Sequence, residues 1–232
     1  TYFSNGEDGS QTVYNPGEYL VIEEGGKYGF GHIEYLPVLP DVGEMDAWAH
    51  PEVVAAIEEN LVPTYLQNLY LNNITREEFC DLVIQAIQEV LGQDIEDVVK
   101  AQTGKDLSAW QKEYPFTDSS SSTVEAAYAL GIASGRGSGV FDPYATITRQ
   151  EAAALLMRSA KVLGMDTESP ESAGYTDGDQ VGVWFKDAVD FVHQINVMGG
   201  TGGNSFSPLG TYTREQSFMT IYRLFQAVAG EE

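Results

Sequence analysis

The chain has 232 residues, 43% hydrophobic and 11% aromatic, enough apolar material for a packed core rather than a disordered coil. Twelve lysines and arginines stand against 35 aspartates and glutamates, a formal charge of −23; a field of that sign repels polyanions and excludes nucleic acid as an expected partner. No run of about 18 apolar residues predicts a membrane span, and no basic-then-apolar leader opens the chain, which starts at Thr1 and reads as a mature or cut piece.

Residues 1–38 are rich in glycine and aromatics. Tyr19-Leu20-Val21-Ile22, then Gly25-Gly26, then Tyr28-Gly29-Phe30 read as strand, tight turn and strand, a short β-hairpin or the tail of a preceding domain. Gly26-Lys27-Tyr28-Gly29-Phe30 also resembles one unit of the short β repeat known as the WG repeat.

From Trp48 the pattern turns helical. Val53, Val54, Ile57 and Leu61 keep three-to-four spacing, and Leu61-Val62-Pro63 ends the helix. A second helix starts at Thr75, with Phe79, Leu82, Val83, Ile87, Val90 and Leu91 on one stripe and Gly92 as its stop. The only cysteine, Cys80, lies within this stripe. It excludes an internal disulfide or a cysteine-ligated zinc site and reads as a buried structural thiol.

Residues 39–92 form a first helix–loop–helix unit, and 93–115 an ordered connector with Ile95, Val98, Val99 and Trp110 as its apolar points. A second unit spans 116–164: Phe116-Thr117-Asp118, a serine run, a helix through Val124, Ala127 and Tyr128, the glycine loop Gly135–Gly139, then a helix from Thr148. A connector at 165–174 leads to a third unit, 175–228. Its parts follow the same order: Tyr175-Thr176-Asp177, a helix through Trp184, Ala188 and Val192, the glycine loop Gly199–Gly203, then a helix from Thr213. Thr75, Thr148 and Thr213 stand 73 and 65 residues apart, so internal repetition is the main property of the sequence.

Each long helix opens on a threonine, an arginine and, three residues after the threonine, a carboxylate or amide: Thr75-Arg76-Glu77-Glu78, Thr148-Arg149-Gln150-Glu151 and Thr213-Arg214-Glu215-Gln216. Thr75 with Glu78, Thr148 with Glu151 and Thr213 with Gln216 fit the capping box, in which hydroxyl and N3 side chain satisfy orphan backbone donors reciprocally, each cap contributing ~1 kcal/mol. The arginine is left unexplained by capping. At the first helical position a cation opposes the helix dipole by roughly 0.3–1 kcal/mol, yet three of the six arginines, Arg76, Arg149 and Arg214, stand there. Two readings stay open on the residues alone. Either each arginine pairs with an acidic residue of a neighbouring unit, such as Asp118 or Asp177, or it joins the helix N-terminus in binding an external carboxylate or phosphate.

The order Phe116-x-Asp118, Gly131-Ile132, Gly135, Gly139-x-Phe141-x-Pro143, Thr148-Arg149-x-Glu151 resembles the S-layer homology repeat, and the third unit matches as Tyr175-x-Asp177, Trp184, Gly199 or Gly200, Phe206-x-Pro208, Thr213-Arg214-Glu215-Gln216. The first keeps Trp48, Ala56 and Ile74–Glu78 but has Leu61–Tyr65 in place of the glycine loop. The resemblance implies a mainly α fold: three helix–loop–helix repeats in a pseudo-threefold spindle around a central three-helix bundle, here preceded by the short β-hairpin. It also implies non-covalent anchoring of a secreted surface protein to the bacterial cell wall. The ligand would be an anionic secondary cell-wall polysaccharide, often carrying a pyruvyl ketal, and the setting the cell surface or S-layer, with room for cargo domains N-terminal to this chain.

Carried over residue by residue, Arg76, Arg149 and Arg214 would hold the ligand's carboxylates in grooves between adjacent lobes, with backbone approach at Ser134, Gly135 and Gly200. Trp48 and Trp184 would stack on sugar rings, although their helical spacing makes core packing the first expectation. The altered loop of the first unit and Gln216 of the third leave the second unit as the most intact contributor.

Other functions fit less well. His32, His50 and His193 lack metal-ligand spacing, the serines at 119–122 do not sit on a nucleophile turn, and no carboxylate pair stands in an apolar setting, so no enzyme, cofactor or metal site is expected in this chain. Asp177-Gly178-Asp179 lacks the spacing of a calcium loop. Assembly between surface proteins is the alternative function; a glycan-acting enzyme is the third.

Overall fold

The computed structural model describes residues 45–230 in full, together with the backbone of four strands nearer the N-terminus. The chain divides into Thr1–Val42 and Gly43–Glu232. In the first part β1 (Tyr2–Asn5) pairs antiparallel with β2 (Gln11–Tyr14), and β3 (Tyr19–Glu24) pairs with β4 (Lys27–His32) in a register that sets Glu24 opposite Lys27. The second pair is the expected hairpin. The first was not anticipated, although Asp8-Gly9 between its strands is a turn signal in the sequence.

The second part is helical: α1 (His50–Glu58), α2 (Arg76–Leu91), α3 (Ile95–Thr103), α4 (Leu107–Trp110), α5 (Ser122–Ala129), α6 (Arg149–Val162), α7 (Lys186–Gln194) and α8 (Arg214–Ala229). The long helices α2, α6 and α8 pack on one another as a central bundle. Each starts at a threonine in extended conformation whose side chain accepts the N3 amide, while the N3 side chain accepts the threonine amide. Gly92, at φ 59°, closes α2 in the left-handed conformation that favours glycine.

The three units are joined in a ring. Short bridges pair Thr75 with Thr146, Thr148 with Thr211 and Thr213 with Asn73, so each helix start lies against the loop that precedes the next unit's long helix. The first two free amides of each long helix donate into that loop: Arg76 to Ala145 O and Glu77 to Pro143 O, Arg149 to Gly210 O and Gln150 to Pro208 O, Arg214 to Asn72 O and Glu215 to Tyr70 O, all within 2.9–3.1 Å. Ile74, Ile147 and Tyr212, one from each unit, are buried beside these bridges.

The short helices follow the same cycle. α5 packs on α2, α7 on α6, and α1 on α8, so each long helix is covered by the first helix of the following unit rather than of its own. Threefold closure thereby buries a continuous core that includes Val53, Phe79, Val124, Leu156, Val192 and Phe218. Cys80 is inside it, and burial pushes its thiol up to about 12.

Candidate ligand-binding grooves

The threefold arrangement creates equivalent clefts where the start of one long helix meets the loop and long helix of the next unit. Groove A, about 490 Å³, is lined by Arg76 of α2, Ser134, Gly135 and Arg136 of the second unit's loop, Glu151 and Arg158 of α6, and Trp184 before α7. Groove B, about 430 Å³, is lined by Arg149 of α6, Gly199, Gly200 and Thr201 of the third unit's loop, Gln216 and Arg223 of α8, and Trp48 before α1. The correspondence holds position by position. Five of the six arginines line these two clefts in a chain of charge −23.

Arg76 and Arg149 are each only 8% exposed. Arg76 donates through Nε to Phe141 O and through Nη2 to Ser134 O, both 2.8 Å, and its guanidinium lies 4.6 Å from the Phe141 ring centre. Arg149 repeats this with Phe206 O at 2.8 Å, Gly199 O at 2.6 Å and the Phe206 ring at 4.9 Å. Neither of the readings left open by the residues covers this geometry fully. The arginines do tie neighbouring units together, but through backbone carbonyls and a ring face instead of Asp118 or Asp177. Both remain cations without a carboxylate partner among the described residues, and desolvation lowers the pKa of each from the ordinary guanidinium value, with Arg136 adding repulsion at Arg76.

The helix N-termini do not contribute as expected. Their first two amides are spent on the neighbouring loop's carbonyls and the third on the threonine, so no fan of backbone donors is left to receive an anion beside the arginine.

Asp118 and Asp177 have a different task. Asp118 accepts the amides of Phe141 and Asp142, both at 2.8 Å, and Asp177 those of Phe206 and Ser207, also at 2.8 Å, as well as the Ser205 hydroxyl. Each carboxylate pins its glycine loop, presenting the Phe141 or Phe206 carbonyl to the arginine. The Phe141 and Asp142 amides lower the Asp118 pKa, and the Ser205 hydroxyl followed by backbone amides lowers that of Asp177. With these bonds made, Asp177 is committed to the loop, and no cluster of three potential metal ligands occurs among the described residues.

Gly135 and Gly200 are required for the packing of their loops. A Cβ on Gly135 would lie 2.4 Å from Phe116 Cε1 and 2.7 Å from Val140 O, and one on Gly200 would lie 2.7 Å from Ser205 O. Core packing for the tryptophans is also overturned: Trp48 is 57% and Trp184 88% exposed, because each precedes its short helix and projects at a groove mouth.

The third equivalent position differs. Arg214 forms an ion pair with Glu78 at 2.6 Å and donates to Asn68 O and Oδ1 at 3.0 Å. Thus the pairing reading holds for Arg214 alone of the three. Tyr65, from the altered loop, donates to Asp81; Ser119 stands where the other grooves have tryptophan and donates to Glu77 at 3.0 Å; and Gln85 stands where they have Arg158 or Arg223.

Arg136, Arg158 and Arg223 were not singled out from the sequence. The signal was present for two of them: Arg158 and Arg223 follow Arg149 and Arg214 by nine residues. At about 100° per residue that spacing turns the second arginine to the opposite side of the helix, so α6 supplies Arg149 to groove B and Arg158 to groove A.

Residues 115–153 and 174–216 match the model of the S-layer homology domain. The chain is similar to an endoglucanase of Bacillus sp. (strain KSM-635), 33% identical over 56% of this chain and 14% of that protein. It is similar to an amylopullulanase of Thermoanaerobacterium thermosulfurigenes, 24% identical over 85% of this chain and 10% of that protein, and to exoglucanase XynX of Acetivibrio thermocellus, 24% identical over 78% and 16%. The chain therefore spans less than a fifth of the length of these relatives.

Proposed function

We propose that this chain, which carries two S-layer homology segments, attaches its parent protein non-covalently to the bacterial cell wall by binding an anionic secondary cell-wall polysaccharide in grooves A and B. The single observation behind this reading is the pair of congruent clefts. Each holds a buried arginine with no acidic partner, a second arginine from the adjacent helix and an exposed tryptophan at its mouth. A fixed cation facing a partly desolvated cleft receives a carboxylate, such as that of a pyruvyl ketal, while the tryptophan offers a flat apolar face to a sugar ring. An acidic surface elsewhere does not oppose this over distances beyond about 8–10 Å, the screening length at physiological salt.

The first unit, outside both matched segments, completes the spindle as a third repeat. Its groove is closed by its own Glu78 and Tyr65. The three enzymes match over a small part of their length; catalysis belongs in this reading to other parts of a parent protein, and the site of action is the cell surface.

The test is retention of the chain on purified wall sacculi, before and after chemical release of the secondary polymer. Binding to intact sacculi that is lost with the polymer supports anchoring; equal binding to both preparations, or none to either, refutes it.

A further inference from the structure

Grooves A and B are congruent in shape but differ in charge: groove A has Arg136 and Glu151 where groove B has Thr201 and Gln216, and the short helix that closes each differs at one further position. In groove B the Arg223 guanidinium is held bidentately by Glu52 of α1, Nε to Oε2 at 2.6 Å and Nη2 to Oε1 at 2.8 Å. In groove A the corresponding Arg158 has no carboxylate within ion-pair distance among the described residues. It donates through Nη1 to Ile132 O at 3.1 Å and is otherwise exposed to the cleft. The residue of α7 that matches Glu52, four positions after the groove tryptophan in both helices, is the buried Ala188. Arg136 at the other wall of groove A is already engaged by Glu151 at 3.2 Å and Asp142 at 3.5 Å. Groove A therefore keeps two arginines with no carboxylate in ion-pair contact among the described residues, Arg76 and Arg158, where groove B keeps one, Arg149; Glu151 and Asp142 act on Arg76 only through space.

We infer that groove A accepts a ligand unit carrying two negative charges, received by Arg76 and Arg158, whereas groove B accepts a unit carrying one. This rests on the anion-binding reading of the grooves and refines it. The two grooves select differently along one polymer, A taking its more densely charged residues and B its singly charged ones, with Glu52 as the residue that withdraws Arg223 from groove B.

The experiment titrates the ¹⁵N-labelled chain with sodium malonate and with sodium acetate at constant ionic strength, following the Gly135 amide for groove A and the Gly200 amide for groove B. The dianion should bind groove A about tenfold more tightly than the monoanion, and groove B within about twofold, the statistical factor for two carboxylates. Arg158→Gln, an exposed substitution, should reduce the groove A ratio to that of groove B, and Glu52→Gln should raise the groove B ratio towards that of groove A. Equal ratios in the two grooves, or a groove A ratio unchanged by Arg158→Gln, overturn the inference while leaving anion binding intact. No shift in either groove with either anion overturns both.

Discussion

Arg149→Ala removes the fork that joins α6 to the third unit. It deletes two hydrogen bonds from a charged donor, to Phe206 O at 2.8 Å and Gly199 O at 2.6 Å, and the stack on the Phe206 ring. A charged hydrogen bond contributes about 1.5–3 kcal/mol and a desolvated cation–ring contact up to ~2 kcal/mol. Two effects reduce the sum. Gly199 is exposed, so water replaces the arginine there; and the substitution relieves a buried cation at the positive end of a helix dipole, by roughly 0.3–1 kcal/mol. The net expectation is a loss of about 2–4 kcal/mol, which for the 190-residue helical part corresponds to a fall in Tm on the order of 5–10 °C. Calorimetry and retention on wall sacculi, measured on the same samples well below Tm, separate the two roles of the residue. Far-ultraviolet circular dichroism at 20 °C should be unchanged. Retention should fall at least tenfold, and Arg149→Lys, which keeps the charge but cannot fork to both carbonyls, should recover part of the binding and little of the Tm. A variant that loses the stability and keeps full retention refutes the ligand role of Arg149; one that loses retention with no change in Tm refutes the inter-unit clamp.

Glu78→Gln tests the closed third position. Glutamine serves as the N3 capping side chain in α8, so the cap should survive while the partly buried pair with Arg214 is lost. Equilibrium urea unfolding should show a loss of about 1–2 kcal/mol, with wall retention unchanged. Gly135→Ala forces a methyl onto Phe116 and the Val140 carbonyl, and by the same measurement should cost about 1–3 kcal/mol. The depressed pKa values of Asp118 and Asp177 predict an acid limb of stability: their contribution is complete above the ordinary value of 3.8 and is lost as pH falls through the lower folded-state values. Asp118→Asn and Asp177→Asn should each be less stable at pH 7 and lose less stability than the parent between pH 5 and pH 2 in acid titrations of Tm. Glu215, its pKa raised by burial, acts in the opposite sense, its penalty disappearing on acidification, so the difference between parent and variants is the quantity to read.

The sequence by itself determined what is local and periodic. Thr75, Thr148 and Thr213 define the long helices because a cap depends on residues within one turn, and the apolar stripes behind them give the bundle faces. The repeated order of parts carries the resemblance to the S-layer homology repeat, and residues 115–153 and 174–216 match the model of that domain. Cys80 reads as core for the same reason: it lies within the stripe.

Only the tertiary structure decided what depends on closure of the ring. Each short helix packs on the preceding unit's long helix, and each helix start donates into the next unit's loop, contacts between residues far apart in the chain that leave no trace in local spacing. That closure occupies the first amides of the long helices with loop carbonyls, turns Gly135 and Gly200 into packing requirements and places Trp48 and Trp184 at groove mouths. It also separates three arginines that share the same Thr-Arg step at a helix start. Arg76 and Arg149 meet carbonyls and keep an uncompensated charge, while Arg214 meets Glu78, because the loop opposite each is supplied by a different unit and only the first unit has lost its glycines. A motif fixes which side chain is offered; the neighbour across the interface fixes whether it is free.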